Sequence, residues 1–358
     1  MASVARLGTG KGVAALLNGR AKRVTSQVVR ALERALPEAL VLVSDDLDQA
    51  RRHVRHIVAA RPEVVLSGGG DGAICKLLNL LREEGSHVLP PVGVLKLGTG
   101  NGWGRVTGAP DQAVLVKKLA SLPSPLPTQR YDLVEVENTL CHFAGVGWDA
   151  KILNDYLRNL DKRSSQLVGS SFATWLHKGV GGYLYSVFRY TVPEEFLALR
   201  AGGQPRVQVE NRGGPVYGVD ERGALQELVH PSGIGPASLL YDGPVSVGGG
   251  ATTTELGYGF KAFPFARMKP GFINLRIYDR PVLEAVRSIP NLWKGAFPQP
   301  GMHDLFATAA QFTFSRPMPF QIGGDGIGVR DEITLRVASE TVDLVDWKAA
   351  FDASAAAN

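Results

Sequence analysis

Residues Glu63–Leu81 read EVVLSGGGDGAICKLLNLL. A short apolar run enters a cluster of glycines, and a segment with apolar residues at helical spacing leaves it. Glycine loops between a strand and a helix usually bring backbone N–H groups close to phosphate. A carboxylate, Asp71, stands in the middle of this one. Two readings of Asp71 are open at this point. It can cap the helix that follows, a position where Asp is favoured. It can also serve phosphoryl transfer, holding Mg²⁺ or accepting a proton from an attacking hydroxyl.

Working outward, the chain up to about Leu126 alternates strand-like and helical segments. Strands are expected at Gly12–Asn18, Ala39–Ser44, Val64–Ser67 and Val92–Leu97. Helices are expected at Thr25–Leu36, Asp45–Ala60, Gly72–Arg82 and Asp111–Leu119. This alternation predicts a parallel sheet with helices on its faces, and ligands in such folds sit beyond the C-terminal strand ends. The proline-rich SLPSPLPTQR (Ser121–Arg130) breaks the pattern. After it come short strand-type runs, among them YDLVEVE, CHFAGVG, RVQVE, PVSVGGG, FINLRIYD, AQFTFS and EITLRVA. They predict an antiparallel sandwich interrupted by a helical insert at about 150–190. The expected architecture is therefore α/β. An N-terminal parallel-sheet nucleotide-binding domain (1–126) precedes an antiparallel β-sandwich domain (127–358), whose C-terminal end is free to pack back on the first domain. The tail from Asp352 is expected to fray.

Composition narrows the class without naming it. The 358 residues are 44% hydrophobic and 20% charged, ordinary for a globular protein. Thirty-nine Lys and Arg against 34 Asp and Glu leave a net charge of +5, scattered rather than clustered, which does not argue for nucleic acid. Two distant cysteines, Cys75 and Cys141, indicate neither a disulfide framework nor a zinc site. No apolar stretch approaches the ~18 residues of a membrane span, so a cytoplasmic protein is expected.

A second glycine loop, LKLGTGNGWGR (Leu95–Arg105), follows the next strand. Gly68, Gly70 and Ala73 fit a dinucleotide fingerprint, but the loop follows the third strand, Leu97 stands where a ribose-binding acid belongs, and Asp71 would face pyrophosphate. Two phosphate-type loops on adjacent strand ends instead form one polar crevice, which favours the phosphoryl-transfer reading.

GGDG after a strand, with GTGN about 30 residues on, resembles the lipid kinases: diacylglycerol kinases, bacterial lipid kinases, and sphingosine and ceramide kinases. LLNGRAK (Leu16–Lys22), AGVGWDA (Ala144–Ala150), FPFARMKPGFINLRIYD and IGGDGIG (Ile322–Gly328) extend the resemblance over most of the chain. It implies an α/β nucleotide-binding domain followed by a β-sandwich, and ATP- and Mg²⁺-dependent phosphorylation of a lipid hydroxyl. It implies Asn18, Gly69, Gly70, Asp71, Gly98, Thr99, Gly100 and Asn101 at the nucleotide and phosphates, Asp71 as the catalytic carboxylate, and Asp149 at the acceptor head group; Lys22 and Gly72 are further nucleotide-site candidates, and Asp325 a second catalytic candidate. The metal ligands are not assigned. The expected partners are a lipid substrate and a membrane surface met peripherally; a homodimer is compatible.

The chain departs from the family pattern at Ala73 (usually Thr), Cys75-Lys76 (Asn-Glu), Gly102 (Asp) and Ile327 (Glu). A nucleotide- and lipid-binding protein that has lost its chemistry is therefore one alternative, and a kinase of a soluble metabolite another. Asp325-Gly326 is also a hairpin-turn signal. Arg20, like Lys22, could meet phosphate. His303 beside Asp304 suggests a pair, though without a nucleophile. The insert's Trp175, Tyr183, Tyr185, Phe188 and Tyr190, with Lys178 and Arg189, could pack on the sandwich or form an amphipathic lid at a membrane.

Overall fold

A computed structural model describes residues 8–356, except 86–87, 99, 120–121, 123–124, 148–149, 151–202, 233–234 and 258. The expected helical insert and Asp149 lie outside the described residues. The chain divides into two compact units, one of residues up to 133 together with 338 onward, the other of residues 134–337.

In the first unit, β1 (Val13–Asn18), β2 (Leu40–Ser44), β3 (Val64–Gly69) and β4 (Val92–Lys96) form a parallel sheet in the order β2-β1-β3-β4. Between them run α1 (Ser26–Ala35), α2 (Leu47–Ala60) and α3 (Asp71–Glu83). Buried Val64, Val65 and Leu66 explain the uninterrupted apolar run of β3, since a parallel strand is covered on both faces. Thr25 caps α1 by accepting from the Val28 N–H (3.3 Å), and Val28 and Leu32 face the core one turn apart. Asp46 caps α2 by accepting from the Gln49 N–H (2.7 Å), while the Gln49 side chain reaches back to the Asp45 N–H (2.7 Å). Two shorter helices follow β4: α4 (Gly102–Val106) and α5 (Gln112–Lys118).

The second unit is antiparallel. Its strands are β6 (Thr139–Cys141), β7 (Phe143–Gly147), β8 (Arg206–Asn211), β9 (Tyr217–Val219), β10 (Leu225–Glu227), β11 (Leu239–Pro244), β12 (Val247–Ala251), β13 (Ile273–Tyr278), β14 (Met302–Ala307) and β15 (Ala309–Ile322), and it holds the helix α6 (Val282–Lys294). β5 (Thr128–Val136) and β16 (Asp325–Val345) each run from one unit into the other. β7 and β12 are glycine-rich because their backbones nearly touch: a Cβ on Gly249 would lie 2.4 Å from the Ala144 carbonyl oxygen.

Several local expectations are corrected. The turn between β15 and β16 is Gly323-Gly324, both at positive φ (57° and 93°), and Asp325 is the first strand residue, paired with Ile322. Two successive positive φ values are what a two-residue hairpin turn demands, and glycine supplies them. His303 pairs with Asp279 (2.9 Å), whereas Asp304 turns inward to Arg276 (3.2 Å); adjacent strand residues point to opposite faces. The C-terminal segment is helical through Ala356 as α7 (Trp347–Ala356), anchored by fully buried Trp347. No helix among the described residues is long and apolar enough to cross a membrane.

His142 is fully buried and stands edge-on to Phe143, with ring centroids 4.7 Å apart. Burial pulls its imidazole down to about 3 from 6.5. Between those values the unfolded chain binds a proton that the folded chain refuses. Its stabilising contribution is complete above pH 6.5 and is lost as pH falls toward 3, at up to ~1.4 kcal/mol per pH unit. Denaturant unfolding at pH 7 and pH 4.5 is expected to show this slope, reduced in His142→Gln. Equal slopes in the two proteins would remove the assignment to His142.

Candidate active site

In the order β2-β1-β3-β4 the chain leaves β1 toward β2 and returns on the other side at β3. The ends of β1 and β3 therefore flank a topological switch point, where open parallel sheets place their ligands. Asn18 ends β1 and Gly69 ends β3. They are close: a Cβ on Gly69 would be 3.3 Å from that of Asn18 and 2.6 Å from that of Ala73. The Asn18 side chain accepts from the Arg20 N–H (3.1 Å), which holds the Asn18-Gly19 turn.

The two glycine loops meet backbone to backbone. A Cβ on Gly98 would lie 2.1 Å from the Gly70 Cα and 2.5 Å from its nitrogen, so only glycine fits. Asn101, at φ 54°, closes the second loop on itself. Its Oδ1 accepts from the Gly98 N–H (3.1 Å), and its Nδ2 donates to the Gly98 carbonyl (2.8 Å). The left-handed conformation is one that Asn tolerates better than most side chains.

Asp71 links the loops. It is the first residue of α3, whose N-cap is Gly70, so it does not cap its own helix. Its two carboxylate oxygens instead accept from the Gly102 and Trp103 N–H groups, both at 2.9 Å. Asp71 thus caps α4, 31 residues away. The side chain is half-buried where it bridges the loops. Burial raises the Asp71 carboxyl above its ordinary value, and the backbone hydrogen bonds from Gly102, Trp103 and neighbouring N–H groups oppose that rise. A carboxylate with a raised pKa is a stronger proton acceptor once ionised.

A cleft of about 240 Å³ opens beside β1 and β2, lined by Leu16, Asn18, Arg20, Ser44, Asp45, Asp46, Leu47, Ala50, Ala73, Lys76, Leu77 and Leu80. Its apolar wall comes from α2 and α3 and its cations are Arg20 and Lys76. The sequence reading gave no role to Ser44, Asp45 or Asp46; their place at the end of β2, next to β1, is the signal that could have found them.

The structure brings together Asn18, Gly69, Gly70, Asp71, Gly98 and Asn101, with Gly72 in the first turn of α3 and Gly100 between Gly98 and Asn101. Lys22 is exposed and lines no part of the cleft. Asp325 lies exposed in the second unit. Thr99 and Asp149 lie outside the described residues. The described residues hold no cluster of three or more His, Cys, Asp or Glu able to bind a metal ion.

Residues 15–125 match the family model described as diacylglycerol kinase catalytic domain. That match covers just under a third of the chain. Within it lie the first glycine loop, the second, and the Asp71 bridge. A protein from Enterobacter sp. (strain 638) called "probable lipid kinase YegS-like" is 26% identical over 117 residues, which cover 32% of this chain and 38% of that protein. The match thus spans well under half the length of the curated relative. A crystal structure of a diacylglycerol kinase from Bacillus anthracis str. Sterne superposes with a TM-score of 0.54 at 13% identity, covering 94% of this chain and 96% of that one. Another structure of that kind from the same strain gives 0.57 at 14%, covering 94% and 97%. At such identities the likeness is one of fold, and it extends through the antiparallel region as well as residues 15–125.

The second unit contains an apolar pocket lined by residues of β7, β12 and β13, by Leu256, Phe260, Ala262 and Phe263, and by Leu292 and Met302. Arg276, buried and paired with Asp304, is its one charged lining residue; its Nη1 donates to the Ala262 carbonyl (2.5 Å).

Proposed function

We propose that this protein is an ATP-dependent lipid kinase, which transfers the γ-phosphoryl group to a hydroxyl of diacylglycerol, a sphingoid or a related lipid. The observation that carries this reading is the Asp71 bridge between two glycine loops that meet at the ends of β3 and β4, inside a diacylglycerol kinase catalytic domain. The loops offer backbone N–H groups to phosphate. Arg20 and Lys76 add positive charge to the cleft, and the apolar side chains of α2 and α3 form a wall for a base or ribose. Asp71 accepts the proton of the attacking hydroxyl. Its anchorage to two N–H groups fixes the carboxylate before substrate arrives, which is where positioning contributes to rate. Mg²⁺ fits this donor set, since the ion usually takes one or two carboxylates together with substrate phosphates and waters. Asp71 would be one ligand, and the ion would neutralise charge on the phosphates. The apolar pocket of the second unit suits an alkyl chain, and Asp149 and Asp325 are proposed at the acceptor head group and in catalysis, respectively.

A binding protein without chemistry is favoured by one observation. Gly102 stands where the family has a carboxylate, and its N–H is one of the two that engage Asp71. One assay decides between the readings. The protein is incubated with labelled ATP, Mg²⁺ and a total lipid extract, and the products are separated. A labelled lipid is expected. ATP binding without any labelled lipid would establish the second reading.

A further inference from the structure

We propose that the second unit docks on an anionic lipid bilayer through the loop Lys261–Phe272 and the C-terminal end of α6. Between Glu255 and Asp279 the sequence has no acidic residue and four cations, of which Arg276 is buried against Asp304 and Lys261, Arg267 and Lys269 remain. Between Glu284 and Asp304 it again has none. The fold puts these two segments side by side. The Lys261 N–H donates to the Trp293 carbonyl (3.1 Å), Phe260 stacks on Trp293 (5.3 Å), and Phe265 meets Phe297 edge-on (4.9 Å). A Cβ on Gly295 would be 3.0 Å from that of Lys261, so Lys294 is one residue from that contact. Lys261 and Lys294 are exposed neighbours of like charge, and neither has an ion-pair partner among the described residues.

Exposed Arg267 adds a third cation, and Met268, 44% exposed beside it, adds an apolar side chain at the surface. Along α6 the acid before Lys294 is Glu284, ten residues back and about 15 Å along the helix; the turn that meets Phe265 and Phe297 at Gly223 brings Asp220, Glu221 and Arg222 to the border of the patch, which stays net positive. Cations interleaved with half-buried aromatics match the two layers of a membrane interface, anionic head groups over acyl chains. This charge complementarity selects a bilayer over an uncharged protein surface. The same segments supply Phe260, Phe263 and Leu292 to the wall of the apolar pocket, so a docked unit would present that pocket's wall to lipid.

The experiment is sedimentation of the full chain with vesicles of equal parts phosphatidylcholine and phosphatidylglycerol, against phosphatidylcholine alone. Wild type is expected to prefer the anionic vesicles, and more salt should weaken the preference. Lys261→Gln/Arg267→Gln/Lys294→Gln is expected to lower partitioning by about 100-fold. Arg30→Gln/Arg52→Gln/Lys117→Gln removes the same charge from exposed positions of the first unit and should leave partitioning nearly unchanged. Equal losses in the two variants would reduce the effect to net charge and overturn the proposal. No preference in wild type would overturn it too, and would leave the face to an acidic protein or nucleic acid. Docking stands apart from the kinase reading, since vesicle binding without lipid phosphorylation would overturn only the latter.

Discussion

Asp71→Asn is expected to lower lipid phosphorylation at saturating ATP by roughly 10²–10⁴-fold, the usual effect of removing a positioned acid or base. A second effect should accompany it. Asn has one acceptor oxygen where Asp has two, so its amide NH₂ must face the N–H of Gly102 or Trp103. Donor then meets donor, and the α4 cap weakens. A loss of ~1–2 kcal/mol in unfolding free energy is expected, the scale of a broken cap. The two effects separate experimentally. Stability is read by denaturant unfolding, and turnover is read well below the transition, where all the protein is folded. If Asp71 only ties the loops together, folded Asp71→Asn turns over nearly normally, and that result would sink the catalytic role. The pH profile gives a further check. Burial raises the Asp71 carboxyl, so activity on the acid side should appear only as pH climbs past a point above the ordinary 3.8. Below it the carboxyl is protonated and cannot accept the hydroxyl's proton.

Gly98→Ala should be the most damaging single methyl in the first unit's site. The added Cβ would fall 2.1 Å from the Gly70 Cα, and the obstacle is backbone, which no rotamer change relieves. The two loops must separate, and the Asp71 carboxylate loses reach to Gly102 and Trp103. We expect a destabilisation of ~1–3 kcal/mol, the range for forced overpacking, and loss of measurable ATP binding by calorimetry. Gly214→Ala is the matched control, since a Cβ there would meet nothing within 4 Å and its backbone is unstrained. Unchanged ATP affinity in Gly98→Ala would mean that the loops need not touch to bind nucleotide.

The parallel half of the fold could be read from the sequence because its signals are local. Apolar runs, caps such as Thr25 and Asp46, and glycines at strand ends all act within a few residues. The helix α4 could not be read this way. GWGRV is five residues with two glycines, and its cap comes from Asp71 far upstream. The same contact explains why Asp71 looked like a cap for the wrong helix: sequence proximity pointed to α3, and tertiary structure chose α4. In the antiparallel half, β9, β10 and β14 show little alternation, and Pro290 interrupts the helical pattern of α6. The partner of His303 was set by strand register, which brings it opposite Ile277 and near Asp279, and register is not written in neighbouring residues.

The return of β16 and α7 to the first unit has a consequence for biosynthesis. Trp347 packs over Gly93 and Leu66, and Leu344 pairs with Val92 at the sheet edge. During translation those partners leave the ribosome some 250 residues before Trp347 and Leu344 do. At ~5–20 residues per second the nascent α/β sheet waits roughly 12–50 seconds with its β4 edge unpaired. An open edge over apolar surface invites wrong pairing, so the growing chain has reason to engage a chaperone until β16 and α7 are made.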